Sequence, residues 1–474
     1  MKKLLEKGIM AILAIVLICG VVIGSREVCI KSKAAESNTS VTTSLSNKKD
    51  EVLRERKSKK LARQVVKDMY NKKFDRVCSL FCEDAPLKES DLEDAYNSTL
   101  VNLPYKRIKK VTYELMEDKE YMNYVQVNVE SKNEYYNWYI TFNEDYKISW
   151  LNIDTYISDK INLKNTKDFT EKKVKVGEYN LTGILTLPKN TKKAPVVIIV
   201  SGSGPTSANG TFLLNRPYAD IAYNLAKQGI ATLRYNDRYY ERNDLDATSA
   251  TIYEEAIDDA SAAIKMLSKD SRIDNENIYV VGHSLGGMLA PKIAELNQEV
   301  KGIISLAGSP RKFVDTYYEQ KCKLVDLETS ISDEDKQEKL SILAKEYEEI
   351  NNITEDSDEK IWDLSKTYWR SLNNLNPKES LDKLTIPMLI LQGGKDTQVL
   401  PDKDYKGWQE ALSGRQNVQF KLYENLNHLF MVSKGYGFGM GEYEYAGVNH
   451  VAEEVAIDIA EFINIVEGVF EGKN

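Results

Sequence analysis

The most constraining feature of this chain is the hexapeptide Gly-His-Ser-Leu-Gly-Gly at residues 282–287, together with the segments on either side of it. Residues 278–281 (Ile-Tyr-Val-Val) are β-branched and aromatic, which predicts a buried strand, and residues 288–296 have the apolar spacing of a helix. A strand that turns directly into a helix leaves no space for side chains beside the central serine, so glycines are required on both sides of it. The sequence therefore predicts a tight, strained turn that exposes the hydroxyl of Ser284, as in a nucleophile elbow.

A nucleophilic serine needs a base, and the chain contains three histidines. His428 lies on a short loop after residues 417–423, where alternate apolar positions predict a strand, and its place after the last strand favours it as the base. His283 is next to the serine and is interpreted as a packing or pocket-wall residue. His450 precedes the predicted last helix, residues 451–466, and remains the alternative base.

The acid that orients the base is expected on the loop that leaves the preceding strand. Residues 386–392 have the pattern of an apolar strand, and Asp396 follows in the loop sequence Gly-Gly-Lys-Asp. Its carboxylate would hold the ring of His428 in one tautomer and stabilise the imidazolium that forms during attack. The same loop sequence is also ordinary turn chemistry, and Asp402 is the alternative acid. The order Ser284, Asp396, His428 is the chain order expected for an α/β-hydrolase.

Donors for the oxyanion are expected after the strand at residues 194–200, which leads into Ser-Gly-Ser-Gly-Pro at residues 201–205. Small residues at this position let backbone N–H groups approach a substrate carbonyl. The sequence therefore predicts the amides of Ser203 and Leu285 as the oxyanion hole. A glycine-rich loop after a strand is also typical of phosphate-binding sites, but this one lacks the lysine and the spacing of a P-loop.

Residues from about 171 to 466 resemble the α/β-hydrolase superfamily and, within it, bacterial esterases of the dienelactone-hydrolase and serine-aminopeptidase-like branch. The matching segments are Ser-Gly-Ser-Gly-Pro at 201–205, Gly-His-Ser-Leu-Gly-Gly at 282–287, Gln-Gly-Gly-Lys-Asp at 392–396 with Val399, and Asn427-His428 with Phe430. The resemblance implies a serine esterase on an α/β-hydrolase fold.

The chain departs from this family in two places. Many relatives open the first loop with histidine, where this chain has Ser201, a change that leaves the backbone donors intact. Many also carry Asp-x-Arg-Gly-x-Gly after the next strand, where this chain reads Asn-Asp-Arg-Tyr-Tyr at residues 236–240. Bulky tyrosines replace glycines near the expected rim of the pocket, so the substrate range of the family is not carried over.

Strands and helices alternate through residues 168–474, which predicts a doubly wound, mostly parallel sheet that begins with a hairpin at residues 174–188. About 70 charged, helical residues separate two of its strands. Because an insertion of this length is too long for a loop inside a compact domain, residues 311–381 are predicted to form a helical cap over the pocket. The predicted fold class is therefore α/β, an α/β-hydrolase with a cap insertion.

Residues 50–157 have a different pattern. A helical segment leads into four predicted strands, and residues 124–130 alternate between apolar and polar side chains as a half-buried antiparallel strand does. This predicts a separate small α+β domain. It resembles the domain of unassigned role found ahead of some bacterial hydrolases, with the cone-shaped fold of nuclear-transport-factor-like proteins. Its aromatic residues are interpreted as sheet core, with a carbohydrate-binding face as the alternative.

Residues 1–33 are predicted to be a signal peptide or a membrane anchor, and residues 34–49 a flexible linker. Three lysines precede an uninterrupted apolar run of 17 residues, 8–24. This run is at the lower limit for a membrane-spanning helix and slightly long for a signal peptide. In both cases the catalytic part is exported, either held outside the cell membrane by an uncleaved anchor, which is favoured, or secreted.

Composition excludes several classes of site and partner. The five cysteines and three histidines do not cluster by spacing, so no disulfide framework, metal site or cofactor is predicted. Residues 1–33 carry six basic and two acidic side chains, so the total net charge of −8 becomes −12 for the rest of the chain. This acidic balance argues against nucleic acid or an anionic membrane surface as a partner.

These patterns lead to the hypothesis of an exported serine hydrolase that cleaves small-molecule carboxylic esters through an acyl-enzyme intermediate. Two alternatives remain open. One is a peptidase, aminopeptidase or amidase that uses the same triad. The other is a non-catalytic surface-binding protein built on a hydrolase scaffold.

Overall fold

The computed structural model describes residues 44–468, apart from residues 84–87, 101–107, 117–123, 131–133, 158–160, 243, 246, 248, 330 and 376. The predicted signal or anchor at residues 1–33 lies outside the described residues, as does most of the predicted linker at residues 34–49. In the described part of the chain, no helix combines the length and the apolar character needed to cross a membrane.

The N-terminal part of the described chain consists of helices packed on a four-stranded antiparallel meander. Its helices are α1 (Ser44–Tyr70), α2 (Phe74–Cys78) and α3 (Glu89–Ala95), which is continued by a π-helical turn (Tyr96–Leu100). Its strands are β1 (Lys110–Met116), β2 (Tyr124–Glu130), β3 (Glu134–Phe142) and β4 (Ile148–Ile157), and they are paired in that order. One buried core joins this sheet to α1, with Val65, Val127 and Trp138 among its members.

Helix α1 begins at Ser44, inside the segment predicted as a flexible linker. Charged residues with good helix propensity fill its first half, and the ion pair of Lys59 with Glu55, at 2.6 Å, joins side chains four residues apart on the helix surface. The apolar pattern is confined to its second half, where residues such as Met69 are buried. The linker was predicted from the polar composition of residues 34–49, and the structure places the last six of these residues in α1.

The described C-terminal part contains ten strands, of which eight form one large sheet and two form a short hairpin. The strands in chain order are β5 (Phe169–Val176), β6 (Leu181–Pro188), β7 (Val196–Val200), β8 (Ala231–Tyr235), β9 (Ile278–His283), β10 (Val300–Leu306), β11 (Lys360–Ile361), β12 (Leu364–Ser365), β13 (Met388–Gly393) and β14 (Val418–Tyr423). The sheet order is β14-β13-β10-β9-β7-β8-β6-β5, whereas β11 and β12 form a separate short hairpin. Neighbours from β14 to β8 are parallel, and β6 pairs antiparallel with both β8 and β5. The predicted mostly parallel sheet with an edge hairpin is thus confirmed.

Helices cover both faces of this sheet. They are α4 (Pro217–Lys227), α5 (Arg238–Glu241), α6 (Asp258–Leu267, after a π-helical turn at Tyr253–Ile257), α7 (Leu285–Leu296), α8 (Phe313–Leu327), α9 (Asp333–Asn351), α10 (Lys366–Asn373), α11 (Pro377–Lys383), α12 (Lys406–Ala411, after a π-helical turn at Pro401–Tyr405), α13 (Gly441–Glu444) and α14 (Glu453–Val466). Successive strand residues point to opposite faces. Val196 and Ile198 therefore join the core with α6 and α7, while Val197 and Ile199 join the core with α4 and α14.

The predicted cap is present as helices α8 to α11 with the β11–β12 hairpin. Aromatic side chains pack its elements against one another. The ring centroid of Trp369 on α10 lies 5.9 Å from that of Tyr317 on α8 and 5.8 Å from that of Trp362 in the β11–β12 hairpin. All three belong to the same buried core as α6 and α7. The outward residues of α9 are charged and largely exposed, in agreement with a solvated outer face.

Candidate active site

The turn between β9 and α7 has the geometry of a nucleophile elbow. Ser284 has φ 54° and ψ −117°, a left-handed conformation that costs energy for a residue with a side chain. A Cβ added at Gly282 would lie 2.0 Å from the carbonyl oxygen of Gly286, and one added at Gly286 would lie 2.5 Å from the carbonyl oxygen of Ser201. Only glycine fits at either position, which is the constraint that the sequence motif predicts.

A direct hydrogen bond joins the predicted base to the predicted acid. The Nδ1 atom of His428 lies 2.7 Å from Oδ2 of Asp396, and both side chains are buried. Three further donors hold the carboxylate of Asp396: the amides of Gln398 and Val399, at 2.8 and 3.0 Å, and Nε2 of Gln392 at 2.9 Å. Because four donors converge on this carboxylate, its orientation toward His428 is fixed.

The loop that carries His428 is held by its own hydrogen bonds. The Oδ1 atom of Asn427 accepts from the amides of Leu429 and Met431, at 3.2 and 3.1 Å. Its Nδ2 donates to the buried carboxylate of Glu444 at 2.9 Å. The sequence shows Asn427 only as part of a family match, whereas the structure shows that it organises the loop of the base.

Ser284, His428 and the loop at residues 201–205 come together at the carboxyl ends of the parallel strands, where ligands bind in open α/β sheets. A Cβ added at Gly202 would lie 3.2 Å from Cβ of Ser284, so the loop passes directly beside the nucleophile. The ring of His428 lies 4.8 Å from that of His283, the residue before the serine. Within the part of the chain that the structure describes, the hydroxyl of Ser284 makes no hydrogen bond. It is therefore free to meet a substrate.

The amides on either side of Ser203 are hydrogen-bonded within the protein, whereas that of Ser203, among the described residues, is not. The amide of Gly202 donates to the hydroxyl of Tyr218 at 3.2 Å, and that of Gly204 donates to the carboxylate of Glu255 at 2.8 Å. Among the described residues, the N–H of Ser203 and that of Leu285, the first residue of α7, have no hydrogen-bond partner. Both predicted oxyanion donors are thus available, and the N–H of Leu285 is one of the free amides of a helix N-terminus.

Sequence reasoning missed two side chains that contact this loop, Tyr218 and Glu255. The carboxylate of Glu255 also accepts a hydrogen bond from the hydroxyl of Tyr368, on helix α10 of the cap. Burial raises the pKa of Glu255, while the hydrogen bonds from Tyr368 and Gly204 lower it. No local pattern identifies Tyr218 or Glu255, because Tyr218 lies 16 residues from Gly202 and Glu255 lies 51 residues from Gly204 along the chain.

The alternative site residues lie elsewhere. His450 is exposed and pairs with Asp220 at 3.1 Å, and Asp402 is exposed on the turn before α12. Of the two tyrosines expected at the pocket rim, Tyr239 is half-buried and Tyr240 is 37% exposed. Asp237 is the N-cap of α5 and accepts from the amide of Tyr239 at 2.7 Å.

A cleft opens beside His428. The cap contributes Gln320 to its lining, and the segment after the base contributes Tyr436, Phe438 and Tyr445. Among the described residues, no group of three or more His, Cys, Asp or Glu side chains is placed to hold a metal ion. The cap and the loop of the base therefore share the wall of the cleft on the side of His428.

Comparisons with known proteins connect the same part of the chain to hydrolases. The family described as serine aminopeptidase, S33, matches residues 193–434, just over half of the chain. An esterase named EstD, from Thermotoga maritima, is 35% identical over 297 residues, which are 63% of this chain and 68% of the relative. Among solved structures, Est1E from Butyrivibrio proteoclasticus is similar over 63% of this chain and 99% of its own, with 19% identity and a TM-score of 0.40. A dienelactone hydrolase from Anabaena variabilis is similar over 62% and 97%, with 18% identity and a TM-score of 0.37.

Proposed function

The chain belongs to the serine aminopeptidase S33 family of α/β-hydrolases. We propose that it is an exported serine hydrolase that cleaves carboxylic esters through an acyl-enzyme intermediate. The observation that carries the proposal is the strained elbow of Ser284 beside the buried hydrogen bond of His428 to Asp396. Nucleophile, base and orienting acid are the parts that acyl transfer requires, and free amides beside the serine supply the oxyanion donors.

In the first half of the reaction, Oγ of Ser284 attacks the carbonyl carbon of the ester while Nε2 of His428 takes the hydroxyl proton. Nδ1 of His428 donates to Asp396 at 2.7 Å, so Nε2 is the ring nitrogen with a lone pair for this proton. The carboxylate of Asp396 stabilises the imidazolium that results. The amides of Ser203 and Leu285 hydrogen-bond the carbonyl oxygen as it gains negative charge.

The first half ends when His428 gives its proton to the leaving oxygen, the alcohol departs, and the acyl group remains on Ser284. In the second half, a water molecule attacks the acyl carbon while His428 takes one of its protons. Collapse of this second tetrahedral intermediate releases the carboxylic acid and returns the proton to Oγ of Ser284. The same base and the same oxyanion donors serve both halves.

The nature of the bond cleaved is inferred from the relative in Thermotoga maritima, which is an esterase by name and shares 35% of aligned residues. We assign the chain to the carboxylesterase-type hydrolases, with a small-molecule ester as substrate.

Ser284→Ala tests the proposal. We expect hydrolysis of p-nitrophenyl acetate to fall by about 10⁴-fold or more, because the nucleophile is lost while the fold is kept. The matched control is Ser413→Ala, an exposed serine in the turn after α12, which should keep wild-type activity. Circular dichroism and urea unfolding establish that both variants are folded. A folded Ser284→Ala variant with full activity would contradict the proposal.

A fluorophosphonate probe provides a second measurement, because it reacts covalently only with an activated serine. Mass spectrometry of the labelled wild type should identify Ser284 as the modified residue. Absence of label on folded wild-type protein would favour the scaffold alternative, in which the chain binds a ligand without turning it over.

The name of the matching family favours a second candidate, an aminopeptidase that uses the same residues. The two candidates differ in the leaving group, since an amine must be protonated as it departs whereas an ester alkoxide is the better leaving group. Comparing kcat/KM for an aminoacyl p-nitroanilide and for a p-nitrophenyl ester of the same acyl group separates them. We expect the ester to be turned over faster than its chemical reactivity alone accounts for.

Export is proposed from the sequence of residues 1–33, where three lysines precede an apolar run of 17 residues. Fractionation of cells that produce the full chain should place the activity in the membrane or outside the cell. N-terminal sequencing of the recovered protein then distinguishes an uncleaved anchor from a cleaved signal peptide. Activity confined to the cytoplasm would contradict export.

A further inference from the structure

His283 precedes the nucleophile, and its side chain is buried, with 7% of its surface exposed. Both of its ring nitrogens have polar partners. Nε2 lies 3.0 Å from the backbone carbonyl oxygen of His428, and Nδ1 lies 3.2 Å from the hydroxyl of Tyr218. Its interpretation as a packing or pocket-wall residue is therefore incomplete, because this ring connects two segments that are remote in sequence.

The partners of His283 determine where its proton lies. A carbonyl oxygen only accepts hydrogen bonds, so Nε2 carries the hydrogen and donates it to His428. Burial and the neighbouring His428 lower the pKa of His283 to about 3, so its Nδ1 is unprotonated at neutral pH. Nδ1 then accepts a hydrogen bond from the hydroxyl of Tyr218.

Tyr218 continues the connection to the oxyanion loop. Having donated its hydrogen to His283, its oxygen accepts from the amide of Gly202 at 3.2 Å. The tyrosine ring is held in place by packing, since a Cβ added at Gly210 would lie 2.6 Å from it. The result is a chain of three hydrogen bonds with a single direction, from the Gly202 amide through Tyr218 and His283 to the His428 carbonyl.

We propose that His283 is a positioning residue that, together with Tyr218, sets the distance between the oxyanion loop and the catalytic base. The proposal rests on the proposed function. One end of the series of hydrogen bonds is the amide of Gly202, the residue before Ser203. The other end is the backbone carbonyl of His428, the proposed base itself. A displacement of about 1 Å in such groups lowers the rate by roughly 10²-fold while substrate binding is affected less.

His283 is not itself a second base in this arrangement. Both ring nitrogens are engaged in hydrogen bonds, and the lowered pKa of His283 leaves its ring neutral at neutral pH. Its effect on the reaction is therefore exerted through the positions of His428 and Ser203.

The test compares His283→Phe, His283→Gln and Tyr218→Phe by steady-state kinetics on p-nitrophenyl acetate. His283→Phe loses both hydrogen bonds, and we expect kcat to fall about 10²-fold with KM changed by less than about threefold. Glutamine has an amide N–H for the His428 carbonyl and an oxygen for the Tyr218 hydroxyl, so His283→Gln should recover at least about tenfold of the loss. Tyr218→Phe removes the hydroxyl at the middle of this series of hydrogen bonds, and kcat of the variant should fall about tenfold.

The affinity for a trifluoromethyl ketone separates positioning from a general loss of stability. This probe forms a tetrahedral adduct with the serine, so its inhibition constant should rise in parallel with the fall in kcat/KM. His450→Gln replaces an exposed histidine and should leave every parameter unchanged. Urea unfolding of each variant measures stability independently.

The outcomes are distinct. Equal losses in folded His283→Phe and His283→Gln, or wild-type kcat in folded Tyr218→Phe, would overturn the positioning role while leaving the proposed function intact. Should His283→Phe fail to fold, the decision rests on Tyr218→Phe and His283→Gln. A wild-type protein that hydrolyses no ester and takes no fluorophosphonate would overturn the proposed function and the positioning role with it.

Discussion

At the scale of single residues, the site depends on one strained backbone conformation and on one carboxylate whose orientation is fixed by hydrogen bonds. Ser284 keeps a left-handed backbone conformation because two glycines allow the chain to approach within van der Waals distance on either side. Asp396 keeps its orientation because two backbone amides and a glutamine side chain bind it in addition to His428. The chemistry proposed for the chain therefore depends on a small number of hydrogen bonds whose loss has large effects.

Asp396→Asn should lower kcat by roughly 10⁴-fold with little change in KM. The asparagine amide is nearly isosteric, but its N–H₂ group can turn toward Nδ1 of His428 and favour the wrong tautomer of the ring. Steady-state ester hydrolysis measures the effect. Asp402→Asn, at the exposed alternative acid, is the matched control and should keep wild-type activity. The opposite ranking of the two variants would make Asp402 the orienting acid.

At the scale of elements, the cap is tied to the loop at residues 201–205. Tyr368 of α10 donates to the carboxylate of Glu255, which accepts from the amide of Gly204. Ser371, on the same helix, accepts from the amide of Ile252 at 3.0 Å. The position of the cap and the position of the oxyanion donors are thus coupled through one buried carboxylate.

Tyr368→Phe should lower kcat about fivefold to tenfold, because a hydrogen bond to the buried Glu255 carboxyl group is lost and that group becomes freer to move away from Gly204. Tyr347→Phe is the matched control, since Tyr347 is another cap tyrosine that donates to an acid, Asp315, at 2.8 Å. It should cost similar stability without an effect on kcat. Equal kinetic effects in the two variants would mean that the cap acts only through stability.

The contact between α7 and α11 includes an electrostatic part besides its apolar one, and this part should depend on pH. Glu295 of α7 accepts from Ser380 at 2.7 Å and from Lys383 at 2.9 Å, both on α11, and from Lys292 at 3.0 Å. The hydrogen bond from Ser380, followed by those from the two lysines, lowers the pKa of Glu295 from 4.5 to about 2. A depressed carboxyl pKa stabilises the folded state above pH 4.5, and this contribution is lost as the pH falls toward 2.

Glu295→Gln should therefore lower the free energy of unfolding at pH 7 by about 1–2 kcal/mol, after discounting for solvent screening of a partly exposed group. The difference from wild type should shrink between pH 4.5 and pH 2. Urea denaturation at pH 7 and pH 3 measures it. Glu299→Gln, an exposed position in the turn after the same helix, should change little at either pH. A difference that is independent of pH would exclude the electrostatic explanation.

At the scale of the whole molecule, the described chain contains separate hydrophobic cores. One is made only of residues between 62 and 153, and the two cores of the large sheet are made only of residues between 174 and 466. All residues proposed for catalysis belong to the second part. A domain with its own core can in principle fold without its neighbour.

Deletion of residues 1–159 should therefore leave a folded enzyme that hydrolyses p-nitrophenyl acetate within about twofold of the longer protein, since the hydrolase part has its own complete cores. Circular dichroism, urea unfolding and kcat/KM on the two proteins make the comparison. The matched protein begins at residue 44 and so retains the small domain. An insoluble or unfolded product from the shorter protein alone would show that the small domain covers a surface that the hydrolase cannot expose.

Much of this protein is readable from local patterns in its sequence. Strand periodicity and the glycines around Ser284 depend on residues close together in the chain, and the structure has the strands and the strained turn as these patterns predict. The roles of Ser284, Asp396 and His428 follow from the motif and the chain order and stay a prediction, with Asp396 and His428 in hydrogen-bond contact. The last six residues of the predicted linker, 44–49, belong to α1 in the structure, and their polar composition carries no apolar pattern that indicates a helix.

The contacts that orient the site were decided only by the tertiary structure. His283 meets Tyr218 and His428 across 65 and 145 residues of chain, and Glu255 meets Tyr368 across 113. A tyrosine or glutamate on an amphipathic helix has no local signal that separates a surface position from a place against a catalytic loop. Periodicity records which face of an element is buried, whereas the partner on that face depends on how the sheet and the cap pack. The sequence alone therefore determined which groups are proposed to react, and the packing determined what holds them in place.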